Sequence, residues 1–404
     1  MFNLKQVGNS FIYVLSDVFV KALPFFLIPI ITRYLTVEEY GEVSLAQTCI
    51  EVFTIVFVFG THHYYRYEFF KGSVNKELLF LVPIIVSLCI FFLVFLLVFL
   101  VTLFLDEVFW WYLLVPVAAL FQSLISLFIC KFQTIEKPFA VGFTNLSLAI
   151  LSFVFTVLFL FNGLGVDGRL FVVLFTPILI GGLCVIYIFR KYELEKLYES
   201  RFYFKEGIKF GSKAFPSSIS WWLRSGMDRI LLQYMIGLSA VGVFSIAVQF
   251  SLVITVIASA INNAVMPSIF RSVNSQQYKI VFKMIVFSVA IVTLFALLLV
   301  LVSPVLIKFV LPEQYQLVGD YFIPLIIASV LHACFLFTSN VLVAEKKVAK
   351  LSTISLLSSL SHLMISIVMI KYYGLDGLVW SGVISYGISV IVLLSSCIRA
   401  RAIK

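Results

Sequence analysis

The residues able to do chemistry in this chain are ionisable groups set inside apolar stretches: Asp17, Lys21, Glu51, Arg224, Asp228 and Arg229. Holding a charge at hydrocarbon depth costs some kcal/mol, so such groups face a partner, a watery cavity or a substrate. Asp17 and Lys21 lie one helical turn apart and can pair, either neutralising each other or turning together to a polar cavity. Glu51 has no local cation: it is protonated, paired with Lys21 or an arginine of another helix, or a coupling-ion site. Arg224 and Asp228 are four apart and can pair, which leaves Arg229 in excess, turned about 100° away. The planar guanidinium fork suits two phosphate oxygens, so Arg229 is the best single candidate for a phosphate contact. The competing use of Arg229 is an ion pair with Asp17 or Glu51. His332 and His362 can titrate near neutral pH and follow a proton gradient, or simply pack with a hydrogen bond to a backbone carbonyl.

Other chemistries find no residues. The six cysteines fall within or at the edge of apolar runs, with no CxxC and no histidine at ligand spacing, and read as small packing residues. His62 and His63 read as interfacial, not metal-binding. No nucleotide motif or nucleophile constellation stands out, so no cofactor and no metal are expected.

What positions the charges is a membrane. With 62% hydrophobic residues, 12% charged and a mean hydropathy of +1.11, the 404 residues make an all-α polytopic membrane protein. Runs of membrane-crossing length predict about twelve transmembrane helices. They cover 10–32, 41–60, 78–104, 110–130, 139–162, 169–189, 210–235, 240–263, 281–307, 319–343, 350–370 and 377–398. The first run is too long for a signal peptide and lacks a small-residue cleavage site, so it is expected to be retained. Trp110, Trp111 and Tyr112 mark an interfacial belt.

Most of the 29 lysines and arginines fall on alternate loops, with only Arg33, Arg169, Lys308 and Lys371 on the other side. Positive charge stays cytoplasmic, so both termini are expected inside. The net charge of +9 then reflects topology and attraction to lipid headgroups, and calls for no nucleic acid. Residues 1–189 form an N-terminal six-helix lobe, 190–209 a basic cytoplasmic linker and 210–404 a C-terminal six-helix lobe. Aromatic residues alternate with the linker's charges, as in an amphipathic interfacial helix that could gather an anionic lipid; a solvated linker is the plainer reading.

The halves repeat. Glu136-Lys137 opens an apolar helix that ends at Gly165-Val166-Asp167-Gly168, and Glu345-Lys346 opens another that ends at Gly374-Leu375-Asp376-Gly377, both offset by 209. Leu35–Gly41 matches Ile236–Gly242 at an offset of 201. Two lobes in parallel repeat are a mark of transporters.

At Tyr34–Ala46 (YLTVEEYGEVSLA) and Asp228–Ala247 (DRILLQYMIGLSAVGVFSIA) the chain resembles the bacterial polysaccharide, or O-antigen, flippases of the multidrug/oligosaccharidyl-lipid/polysaccharide exporter superfamily. The resemblance implies a V-shaped pair of lobes around a central cavity bordered by helices 1, 2, 7 and 8. It implies a translocase, not an enzyme, that carries undecaprenyl-diphosphate-linked oligosaccharide across the inner membrane by alternating access driven by an ion gradient or membrane potential. It also implies an O-antigen polymerase and a chain-length regulator as partners. Arg229, Arg224 and Lys21 would then bind substrate, with Asp17, Glu51 and Asp228 in support or in ion coupling. Lys21, Arg224 and Arg229 are matched by three in-membrane anions, so the cavity is not plainly cationic. The alternatives are a multidrug exporter, which would use acidic residues for cationic drugs, and a membrane enzyme polymerising lipid-linked sugars, which would need a larger outer loop.

Overall fold

A computed structural model describes residues 20, 22–72, 76–104, 110–191 and 201–402. All regular structure among them is helical. The helices are α1 (Ala22–Tyr34), α2 (Val37–Val58), α3 (Thr61–Lys71), α4 (Lys76–Thr102), α5 (Leu114–Thr134), α6 (Pro138–Phe161) and α7 (Gly165–Lys191). They continue as α8 (Arg201–Ser225), α9 (Met227–Met235), α10 (Leu238–Asn274), α11 (Tyr278–Val310), α12 (Val318–Ala344) and α13 (Val348–Ala402).

Among the described residues nine helices are long and apolar enough to cross a membrane: α2, α4 to α7 and α10 to α13. Helix α13 runs 55 residues and breaks at Gly374 (φ 61°, ψ −138°), so it supplies both of the last two expected spans. The expected second span stops early, at Val58, because Phe59 and Gly60 turn left-handed (φ 46° and 69°). The aromatic, polar sequence THHYYRYEFFK then forms α3 by itself. The expected seventh span is also broken: α8 begins within the supposed linker, at Arg201, and gives way to α9 across Gly226.

The chain packs as two compact units, divided at Trp222/Leu223, with Ile31–Ser44 belonging to the second. In the first, α5 packs along α4, α6 and α7, and α3 lies on α4 and α5. Its core joins Tyr64, Tyr65, Phe80, Phe128 and Cys184. In the second, α12 is central, packed on α10, α11 and α13, while α9 lies on α10 and α13.

Three corners share one design. Glu136, Gln276 and Lys346 take φ of 55°, 58° and 60°. The next residue donates back across the turn, from Lys137 to Phe132, Gln277 to Ser272 and Lys347 to Leu342, each at 2.8 Å. These are the 6→1 bonds that close a helix with a left-handed residue. Lys346, not Glu345, is therefore the mate of Glu136, and the sequence match of the two Glu-Lys pairs is one residue out of register. The outer glycines Gly165 and Gly374, both at positive φ, keep the 209-residue offset.

At the front of the repeat the mates touch. A Cβ on Gly41 would overlap the Leu238 carbonyl oxygen, and one on Gly242 the Val37 carbonyl oxygen. Ser44 Oγ lies 2.6 Å from Ser245 Oγ. Val37/Leu238, Gly41/Gly242 and Ser44/Ser245 are all offset by 201, so α10 and the start of α2 cross about a local two-fold. The turn before α2 is tied down by buried Tyr315, whose hydroxyl donates to the Leu35 and Thr36 carbonyls at 3.0 and 2.8 Å.

Because a methyl on Gly242 meets backbone that cannot step aside, Gly242→Ala is expected to cost roughly 1–3 kcal/mol. Thermal unfolding in detergent checks this: the midpoint should fall by several degrees, whereas Gly182→Ala, with nothing near its added methyl, should not lower it.

Candidate functional site

The break between α8 and α9 decides where three of the charges go. Helix α8 ends with Arg224 in its last turn, and α9 opens after Gly226 with Asp228 in its first. Asp228 is thus at a helix N-terminus, where the dipole and free N–H groups favour an anion. Asp228 and Arg224 are not joined: each turns to a different partner, both on α13.

Asp228 faces His362. The ring Nε2 lies 3.1 and 3.3 Å from the two carboxylate oxygens, and Nδ1 lies 2.9 Å from Ser385 Oγ. Both groups are out of water, at 7% and 2% exposure. Ser385 Oγ also lies 3.1 Å from the Gly382 carbonyl, so one serine hydroxyl is shared between that carbonyl and the ring. His362 thus bridges Asp228 on α9 to Ser385 on its own helix. Below the ring, Ser366 and Ser381 pair at 2.8 Å.

Arg224 Nη2 donates to Ser389 at 3.0 Å, and its guanidinium carbon stands 4.3 Å from the Tyr386 ring centroid. The Tyr386 ring also meets His332, centroid to centroid 5.3 Å. Arg224 is half-buried, its Nε has no hydrogen-bond partner, and no carboxylate among the described residues pairs with it. Stacking a guanidinium on a tyrosine holds its plane without neutralising it.

Arg229 is differently occupied. Its Nε donates to Ser245 and its Nη1 to the Ser225 carbonyl, each at 3.0 Å. Through Ser245 it reaches Ser44 and the glycine crossing. The arginine in excess by sequence is thus engaged in structure, and Arg224, expected to be neutralised by Asp228, keeps its charge.

Of the remaining candidates, Glu51 is exposed on α2, in the first unit. Asp17 and Lys21 lie outside the described residues. Asn262 accepts from Asn340 Nδ2 at 2.7 Å. Reading for charge missed Tyr386 and the serines at 366, 381, 385 and 389. The spacing of four between Ser381, Ser385 and Ser389 was a signal that one face of an apolar helix is polar.

Comparison with known proteins agrees with this architecture. Residues 7–273 match the model of a family described as polysaccharide biosynthesis protein. A Haemophilus influenzae protein described as "Lsg locus putative protein 1" is 23% identical over 399 residues, covering 97% of both chains. Among solved structures, an inward closed conformation of the lipid II flippase MurJ superposes with a TM-score of 0.77 at 15% identity, over 95% of this chain and 87% of that one. An inward-facing MATE family multidrug resistance transporter of the MOP superfamily gives 0.70 at 16%, covering 95% of each. The chain has the fold of these transporters and is a multi-pass membrane protein.

Removing one partner of a buried pair strands the other, at roughly 3–5 kcal/mol. Asp228→Asn and His362→Gln should each lower thermal stability in detergent. Their double variant should lose less than the sum, leaving a coupling of about 1–3 kcal/mol in the cycle; additive losses would mean the two do not interact.

Proposed function

Since the chain belongs to the polysaccharide biosynthesis protein family, we propose that it is a flippase for a lipid-linked oligosaccharide. The substrate is an undecaprenyl-diphosphate-linked O-antigen repeat unit, moved from the inner to the outer leaflet of the bacterial inner membrane with both termini cytoplasmic. A diphosphate and its sugars cannot cross hydrocarbon unaided, because every charge and hydroxyl would lose its water.

The observation that carries this reading is Arg224: a half-buried guanidinium with no carboxylate partner among the described residues, stacked on Tyr386, in an apolar bundle. A cation kept in that state suits a phosphate oxygen pair that arrives and leaves. Arg229, with two donors already used, orients the α9–α10 junction. A multidrug exporter working on cations would have little use for a half-buried arginine at this place.

Coupling is assigned to the Asp228–His362 dyad. The contact between Asp228 on α9 and His362 on α13 joins the two helices, so a proton gained or lost there changes how α13 holds α9. The dyad lies one turn from Arg224 along the α8–α9 chain, so its protonation is felt at the phosphate contact.

The test is reconstitution in liposomes carrying an undecaprenyl-diphosphate oligosaccharide in both leaflets, with exposure read by an external sugar-modifying enzyme. Wild type should exceed empty liposomes, and acidifying the outside should speed it further. Arg224→Ala should slow it roughly ten- to a hundred-fold, the worth of a charge-assisted bond of about 1.5–3 kcal/mol. Arg224→Lys should recover part of the rate, and Asp228→Asn should abolish the response to pH. Wild type indistinguishable from empty liposomes under both a proton gradient and a membrane potential would reject the reading.

A further inference from the structure

We propose that the exposed face of α8 is a loading rail on which the diphosphate of the lipid carrier is collected from the inner leaflet, with Lys205, Lys209 and Lys213 as its contacts. The inference rests on the flippase reading and adds a second site to it, in the first compact unit.

Helix α8 is fastened along one face only. Tyr203 and Phe210 join the core of the first unit, and Phe210 stacks near Tyr64 and Tyr67 at 5.9 and 5.7 Å. Phe215 stacks on Phe59 at 5.0 Å. Gly207 and Gly211 bring the backbone in so closely that a Cβ on the first would lie 2.7 Å from Val82 and one on the second would overlap the Phe59 carbonyl oxygen. The orientation of the helix about its axis is therefore set. What it turns outward is Lys205, Lys209, Lys213 and Ser217, all exposed.

Residues four apart rise about 6 Å per step on nearly the same face. The three lysines thus form a line of ammonium groups running towards the apolar half of α8. None forms an ion pair with a described residue. Glu206, the acid beside them, is engaged by the Tyr64 hydroxyl, which donates to it at 3.5 Å. A line of lysines without an ion-pair partner among the described residues, beginning at the cytoplasmic surface, is complementary to a doubly phosphorylated lipid head.

Residue type separates this rail from Arg224. Lysine is a hydrated, flexible point charge, which attracts phosphate without fixing its orientation. That suits a place where the head is gathered and passed on. A ladder of three raises the local concentration of the anionic head along the helix, by roughly ten-fold or more in occupancy.

The experiment uses the full chain in nanodiscs of zwitterionic lipid, titrated with a fluorescent polyprenyl diphosphate, with phosphatidylglycerol as competitor, alongside the transport assay. The triple variant Lys205→Gln, Lys209→Gln, Lys213→Gln should raise the half-saturating fraction of diphosphate lipid at least ten-fold and leave the maximal rate unchanged. Replacing all three with arginine should restore it. Equal half-saturation in wild type and the glutamine variant would overturn the rail while leaving the flippase reading intact. Phosphatidylglycerol displacing the diphosphate lipid at equal fraction would overturn it by making the stripe a general membrane anchor. Failure of wild type to bind or move the diphosphate lipid at all would sink both.

Discussion

An ionised side chain inside an apolar bundle must be answered by its own lobe, and this chain answers its charges unevenly. Asp228 is given a helix N-terminus and an imidazole; Arg229 is given two oxygens. Arg224 is given an aromatic face and one hydroxyl. The first two are satisfied and hold helices together. The third is held in place with no carboxylate partner among the described residues.

That distribution depends on one backbone detail. An unbroken helix from residue 210 to 235 would stack Arg224 over Asp228 and let them cancel. Helix α8 gives way to α9 at Gly226, and the Asp228 carboxylate in the first turn of α9 faces His362. Helix α13, bent at Gly374, then presents partners from both its arms: His362 and Ser366 before the bend, Ser381, Ser385, Tyr386 and Ser389 after it. The arm before the bend meets α9 through His362, and the arm after it meets the end of α8 through Tyr386 and Ser389.

Glycine sets the other close approaches. At Gly41 and Gly242 two repeat-related turns meet backbone to backbone, and Ser44 and Ser245 close the crossing with a hydrogen bond. Arg229 is fastened to the same serine, so the crossing and the α8–α9 break form one connected polar structure. On α8, Gly207 and Gly211 do a related job, turning one side inward and the lysines outward.

Much of this was legible in the sequence. Hydropathy marks the spans because hydrocarbon thickness imposes one length on every crossing helix. The repeat shows in glycines at Gly41 and Gly242 and at Gly165 and Gly374, since those backbone positions tolerate little else. The intramembrane charges were visible as a set because each departs from an apolar background. Their partners were not. Arg224 and Asp228 look like a pair at a spacing of four, yet each meets a different partner on α13; Arg229 looks surplus until Ser245, sixteen residues on, accepts from it. Tyr386 and the serines of α13 carry no charge and lie more than 130 residues from the helix they serve, so local pattern could not connect them. Sequence determined which groups must be compensated within the membrane, because burial cost depends on residue type. Tertiary structure decided which group compensates which, because that depends on distances that only packing sets.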